Sequence, residues 1–453
     1  MRILVNSSPW SLPRHMPNVF AELLARGAEV LFAAEGDESP VPPAVEGHGR
    51  AGRVVLPLRR TLDAEAVALF RRITDLVRFL DPALPDATWP RRRTALRTLV
   101  RAGHPDAEAL AARSVELELP ETVHARLSAM LQGVERLLPP EPELVGGVRE
   151  LEVDAVLLVS RCSLGGVERD VLKAAAQLGV PTIMLVWSWD NLSSKALLTE
   201  HPDHLLVWNE LQVDEAVELH GLPRDRVHAL GAPSLDDFFA EMKRHGGGPA
   251  RSDEDRPTIV YLGSSSNISP DEPAVFERWL AAVRTADDER LRSARVLLRP
   301  YPAGAAWKRW RPGDLEGVTV ERGKKLDAPG LAEVLLQASA VVALNTSGEL
   351  EAAIAGRPVL TFRAGELAPG QEGSAHFEYL LERRGGFVID SGDLDEHVRM
   401  LGRALAGDHD RERLRAFVTR FVRPLGIERP VSPLVASAVL ELAARRPLEV
   451  ATR

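Results

Sequence analysis

The chain has 453 residues, 45% apolar and 27% charged, with 65 acidic against 56 basic side chains and a net charge of −9. That length exceeds what one core serves, so two domains are expected, and the acidic balance argues against general nucleic-acid binding. A single cysteine, Cys162, rules out disulfide frameworks and cysteine-based zinc sites within the chain, and no apolar run approaches the roughly 18 residues of a membrane span.

Ile3–Val5 reads as a first β-strand rather than a signal peptide. A loop, Asn6–His15, leads into a helix near Met16–Ala25, with Pro17 suited to its first turn and Gly27 to its end. Strand Glu29–Ala33 follows. Residues 60–140 are rich in Arg, Ala and Leu and poor in β-branched residues, which predicts a helical insertion. Within it, Trp89–His104 is basic and amphipathic, either a solvated helix face or a contact for an acidic acceptor or an anionic membrane surface. Four strands come next: Ala155–Ser160, Thr182–Trp187, His204–Trp208 and Val227–Leu230. Lys243–Pro257, crowded with Gly, Pro and charge, reads as an exposed linker. Beyond it lie strands Thr258–Leu262, Arg295–Arg299, Val318–Glu321, Ala340–Leu344, Val359–Phe362 and Phe387–Ile389. Asp410–Ala444 is helical, with a break at Arg423-Pro424.

Alternating apolar strands and helices build parallel sheets. The fold class is therefore α/β: two Rossmann-like, doubly wound parallel-sheet domains, the first carrying the helical insertion. The expected boundaries are 1–240, a linker at 241–256, a second domain at 257–422, and a final helix at 423–453 that crosses back to the first domain. Open parallel sheets bind ligands beyond the carboxyl ends of their strands, so a small-molecule site is expected in a cleft between two such domains.

The most informative stretch is Val341–Phe362, which reads strand, turn, short helix, Gly356, Pro358, strand. Its turn, Asn345-Thr346-Ser347-Gly348, offers hydroxyls and unpaired amides suited to an anion. Thr346 to Glu349 also fits a capping box, which leaves Glu351 as the better candidate for a ribose hydroxyl beside a bound phosphate. Gly263, Ser264, Ser265 and Ser266 follow a strand and suit close approach to a diphosphate. Arg299 ends another strand, as a phosphate partner or a salt bridge. His376 is either a ligand contact or a packed helix residue. In the first domain His15 is placed to act as a general base. The loop Trp187–Lys195 presents Asp190, Asn191 and Lys195 between Trp187 and Trp189, which suit a sugar face; the alternative is a helix-capping turn. Walker, dinucleotide-fingerprint and serine-elbow patterns are missing at the junctions where they would act.

In order, "RHMPNVFAELLARGAEV", "VHALGAPSLDDFF", "VYLGSSSN", "LLRPYP" and "NTSGELEAAIAGRPVLTF" resemble the two-domain glycosyltransferases of the GT-B fold. The nearest likeness is to the group holding bacterial glycerophosphate transferases and UDP-N-acetylglucosamine 2-epimerases. The resemblance implies donor-diphosphate roles for Thr346, Ser347, Gly348 and Glu351 and a base at His15, with Asp190 as its rival. It implies an inverting, metal-independent transfer from a nucleotide-diphosphate sugar, UDP being the expected nucleotide, to a hydroxyl acceptor, with no bound cofactor. The products would serve surface polysaccharide or glycoconjugate synthesis in the cytoplasm or at the inner membrane face. The Gly-Gly-His opening of several such transferases is Pro13-Arg14-His15 here. The epimerases' Asp-Ser-Gly-Gly is Leu344-Asn345-Thr346-Ser347, and Leu350 stands for their first Glu, which counts against epimerase chemistry. Polyol-phosphate transfer from a CDP donor, epimerisation, and nucleotide-sugar binding without turnover are the other readings.

Overall fold

The structure is a computed structural model that describes residues 1–8, 12–34, 40–82, 119–162, 168–246, 256–311, 313, 315–323, 327–372 and 375–444. It divides into two compact units, Met1–Asp236 with Phe421–Arg453, and Asp237–Arg420.

The first unit is built on seven strands: β1 (Arg2–Ser8), β2 (Glu29–Ala34), β3 (Ala51–Val55), β4 (Ala155–Ser160), β5 (Thr182–Val186), β6 (His204–Val207) and β7 (Val227–Ala229). They pair in the order β3-β2-β1-β4-β5-β6-β7, every pair parallel. β4 and β5 are buried along their whole length. That follows from cover on both faces, which is why they read as unbroken apolar runs rather than alternating ones. On one face Ile3, Val5, Leu157 and Leu185 pack against Phe20 and Leu23 of the helix Pro17–Ala25 and against Val435 and Val439 of the helix Ser432–Ala444. On the other, Leu4, Val156, Leu158 and Met184 meet Leu144, Val171 and Val213 from three further helices. The carboxyl-terminal helix thus belongs to the core of the first unit.

Asp236 fixes that return of the chain. Its buried carboxylate accepts from Arg423 Nη2 (2.6 Å), from the amides of Val431 (3.0 Å) and Ser432 (2.7 Å), and from the Ser432 hydroxyl (2.7 Å). The helix at Asp236–Arg244 extends into the segment read as linker, of which residues 247–255 lie outside the described residues.

Two insertion helices are described, Ala64–Arg78 and Glu121–Leu137; the basic stretch Trp89–His104 lies outside the described residues. A buried ionic cluster fastens the pair to the body of the unit. Arg71 reaches Glu135 (2.9 Å) and Asp170 (2.7 Å), Arg60 also reaches Asp170 (2.7 Å), and Lys173 reaches Glu135 (2.9 Å). Each charge is compensated, the condition under which such groups tolerate burial.

The second unit holds β8 (Thr258–Leu262), β9 (Arg295–Arg299), β10 (Val318–Val320), β11 (Ala340–Ala343), β12 (Val359–Phe362) and β13 (Val388–Ser391). Their order is β10-β9-β8-β11-β12-β13, again all parallel. One face is packed by an aromatic cluster of Tyr261, Phe276, Trp279, Trp307 and Trp310. In each sheet the strand order reverses once, between β1 and β4 and between β8 and β11. Such reversals open a crevice at the strands' carboxyl ends, where open α/β sheets take their ligands. Among the described residues no helix is long and apolar enough to cross a membrane.

Candidate functional site

At the reversal in the second sheet, adjacency of β8 and β11 brings the loop after Leu262 beside the turn Asn345–Gly348. Three loops are stitched together there. Gly370 donates to the Ile268 carbonyl (2.9 Å), and a Cβ on Gly370 would fall on the Asn267 carbonyl. Ser269 Oγ donates to Leu367 O (2.6 Å), and Asn345 Nδ2 donates to Gln371 O (3.1 Å). Gln371 in turn binds Ala364, Thr361 and Phe362 through its side chain.

The helix that follows β11 is short, Gly348–Ile354. Half of the capping box forms: Glu349 Oε2 accepts the Thr346 amide (3.2 Å). Glu349 is wholly buried, its other oxygen has no hydrogen-bond partner, and burial pushes its carboxyl up to about 8. Glu351, two residues on, is half-buried. Its Oε2 is shielded from solvent and makes no hydrogen bond. Burial raises its carboxyl to about 7, against the pull of nearby Arg299. An unsatisfied buried carboxylate oxygen demands either a proton or a donor from outside the chain. Thr346 is half-buried and Ser347 exposed, so both are within reach of a ligand.

Four residues behave differently from the sequence reading. Gly263 does not make room for a diphosphate; a Cβ there would stand 2.6 Å from Tyr301 N and 3.0 Å from Trp307 Nε1, so its smallness serves strand packing. The Ser264 amide is already taken, donating to Glu272 Oε2 (2.6 Å), and the residue is buried. Ser265 is the first residue of this loop with partial exposure. Gly348 likewise serves packing, since a Cβ would lie 2.9 Å from Leu262 Cδ1. Arg299 is held by Asp327 (2.9 Å) and Glu321 (3.4 Å), the salt bridge of the plainer reading, and would have to exchange them for a phosphate. His376 is buried in the one-turn helix Ala375–Glu378, after the β12 loop.

In the first unit the turn Leu12–His15 stands directly before the helix that Pro17 opens. His15 meets Trp187 edge-on, with ring centroids 5.3 Å apart. Trp187 follows β5 directly and its amide donates to Ser160 O (2.9 Å). Its indole Nε1 is buried without a hydrogen-bond partner. Arg161, the residue after β4, lies over the same ring, 5.3 Å from its centroid. Sequence reasoning missed Arg161, a lone arginine after a strand with no motif around it.

Asp190 is engaged by its own loop. Lys195 holds it at 3.0 Å, Asn191 Nδ2 (3.0 Å) and Ser194 Oγ (3.3 Å) donate to it, and it precedes the one-turn helix Asn191–Ser194. Asp190 stands at the N-cap position of that helix, but its side chain accepts no backbone amide there. Trp189 is buried edge-on to Phe421 (6.2 Å) and offers no platform to a sugar. Among the described residues no group of three or more His, Cys, Asp or Glu could hold a metal ion.

No protein-family model matches this sequence, and no curated protein matches it either. Solved structures do match in fold. UGT89C1 of Arabidopsis thaliana, solved with UDP and with quercetin, superposes with TM-scores of 0.51 and 0.52 at 14% identity, covering 98% of this chain and 99% of that one. UGT2 of Phytolacca americana, solved with UDP-2-fluoro-glucose and pterostilbene, gives 0.50 at 11% identity over 98% of this chain and 100% of that one. The fold is GT-B, in keeping with the two parallel sheets and with the resemblance read from the sequence.

Proposed function

We propose that the protein is a glycosyltransferase that uses a nucleotide-diphosphate sugar. The second unit holds the donor where β8 and β11 end, and the first unit holds a hydroxyl acceptor beside His15. The observation that carries the reading is Glu351 Oε2, a buried carboxylate oxygen without a partner at the reversal of the second sheet. A ribose hydroxyl would satisfy it. Support comes from neighbours of the same fold solved with UDP or UDP-2-fluoro-glucose, and UDP is the nucleotide proposed here.

In the proposed reaction His15 takes the acceptor's proton as the hydroxyl oxygen attacks the anomeric carbon from the side opposite the leaving group. The bond from that carbon to the diphosphate oxygen breaks, its electron pair leaves with the nucleoside diphosphate, and the configuration inverts. Amides at Ser347–Gly348 stabilise the departing charge, joined by Arg299 once it exchanges Asp327 for phosphate. Fixed dipoles and guanidinium groups can do this without a metal.

Calorimetric titration of the full chain with UDP tests the proposal. Glu351→Ala should weaken binding about ten- to a hundredfold, the worth of one or two hydrogen bonds to a charged or buried group. No UDP binding by the wild type would remove the donor reading; unchanged affinity in the variant would remove Glu351 from it.

A further inference from the structure

In the first unit, β1, β4 and β5 lie side by side. His15, Arg161 and Trp187 come from the segments leaving their carboxyl ends, and two of them converge on the third. Arg161 is half-buried. Several arginines withdrawn from solvent in this unit have anionic partners: Arg60 and Arg71 with Asp170, Arg169 with Asp75, Arg423 with Asp236. Arg78, also buried, donates to the Leu192 carbonyl (2.6 Å). Arg161 has neither a carboxylate nor a hydrogen bond among the described residues; its contact is the Trp187 ring. A cation–π contact engages the face of the guanidinium and leaves its N–H donors open to a ligand. The same ring adds an unpartnered donor, the buried Nε1–H.

A guanidinium without a carboxylate partner and an unpartnered indole N–H on one aromatic surface, beside the histidine proposed as the base, make a receptor for an anion. We infer that the acceptor carries a negatively charged group, a carboxylate or a phosphate, held by Arg161 with the Trp187 N–H while His15 faces the hydroxyl to be glycosylated. The inference rests on the transferase reading for the role of His15, and it names the acceptor class that reading leaves open. A guanidinium fork matches either oxyanion, and its charge discriminates against a neutral acceptor of the same shape.

Ligand-observed NMR titrations of the full-length protein with matched pairs test this: 4-hydroxybenzoate against 4-hydroxybenzyl alcohol, and glycerol 3-phosphate against glycerol. The anionic member of at least one pair should bind about ten- to a hundredfold more tightly than its neutral partner, the worth of a charge-assisted hydrogen bond. The preferred pair tells carboxylate from phosphate. Arg161→Gln should abolish the preference and Arg161→Lys should keep part of it. Trp187→Phe, which keeps a ring but loses the N–H, should reduce it less than Arg161→Gln. UDP affinity measured on the same samples should stay at the wild-type value in all three variants, which shows that they are folded. Equal or absent binding of the anionic and neutral members in both pairs overturns the inference, as does a preference that survives Arg161→Gln. Loss of UDP binding in the wild type would sink the donor reading instead, leaving an Arg161-dependent anion preference standing.

Discussion

Glu349 offers the sharpest test of how burial governs this protein's stability. Its carboxyl is wholly buried, one oxygen accepts the Thr346 amide and the other has no partner. Burial raises it from 4.5 to about 8. The native state therefore keeps a proton that the unfolded chain has already released above its ordinary range. Stability supplied by that proton is complete below about pH 4.5 and is lost as pH climbs to about 8, by ~1.4 kcal/mol for each pH unit. Across the window the loss is on the order of 4–5 kcal/mol. Glu349→Gln cannot ionise. It should start less stable in acid, by roughly 1–3 kcal/mol for an amide group without a partner, and then overtake the wild type as pH rises. Urea unfolding midpoints at pH 5, 6.5 and 8.5 for both proteins isolate this group, because Glu168, Glu272 and Glu351, each raised to about 7 by burial, contribute equally to both. Parallel stability curves would refute the reasoning and mean that water or a rearranged turn solvates the carboxylate.

Asp236→Ala strands Arg423 and three further donors, and should cost about 3–5 kcal/mol, the usual penalty for breaking a buried ion pair, seen as a lower unfolding midpoint. Gly370→Ala and Gly348→Ala make a paired test. The first sets a methyl against the Asn267 carbonyl and should displace the β8 loop and impair UDP binding; the second meets the movable end of Leu262 and should cost about 1 kcal/mol or less, the low end for overpacking. Equal effects of the two would contradict the packing described. His15→Ala should lower kcat about 10²–10⁴-fold with donor affinity unchanged, the usual worth of a general base; full activity in that variant would move the base elsewhere. Transfer should survive excess EDTA, and activity restored only by Mg²⁺ or Mn²⁺ would contradict the amide-and-arginine account of the leaving diphosphate.

Much of this fold is written in local sequence. Runs such as Ala155–Ser160 and Thr258–Leu262 end where their apolar character ends, since strands buried on both faces favour continuous apolar residues. β3 escaped notice because Ala51-Gly52-Arg53 carries little apolar signal; at the sheet edge it is only half-covered and need not. Glu349 and Glu351 could be told apart as cap and ligand candidate from the spacing of a capping box alone, because that pattern is local.

What the sequence could not decide was which polar groups would find partners within the chain. Asp190 and His15 both follow strands and looked equivalent, yet Lys195, close in sequence, occupies Asp190. The Ser264 amide reads as available to phosphate until the helix beginning at Glu272 returns a carboxylate to it. Arg161 and Trp187 stand 26 positions apart and meet only because β4 and β5 are neighbours in the sheet. Periodicity reports which face of a strand or helix is buried, a property carried by residues a few places apart. Satisfaction of a charge or an amide depends on atoms brought from anywhere along the chain, so it is settled only when the sheet order and the crossings between strands are in place.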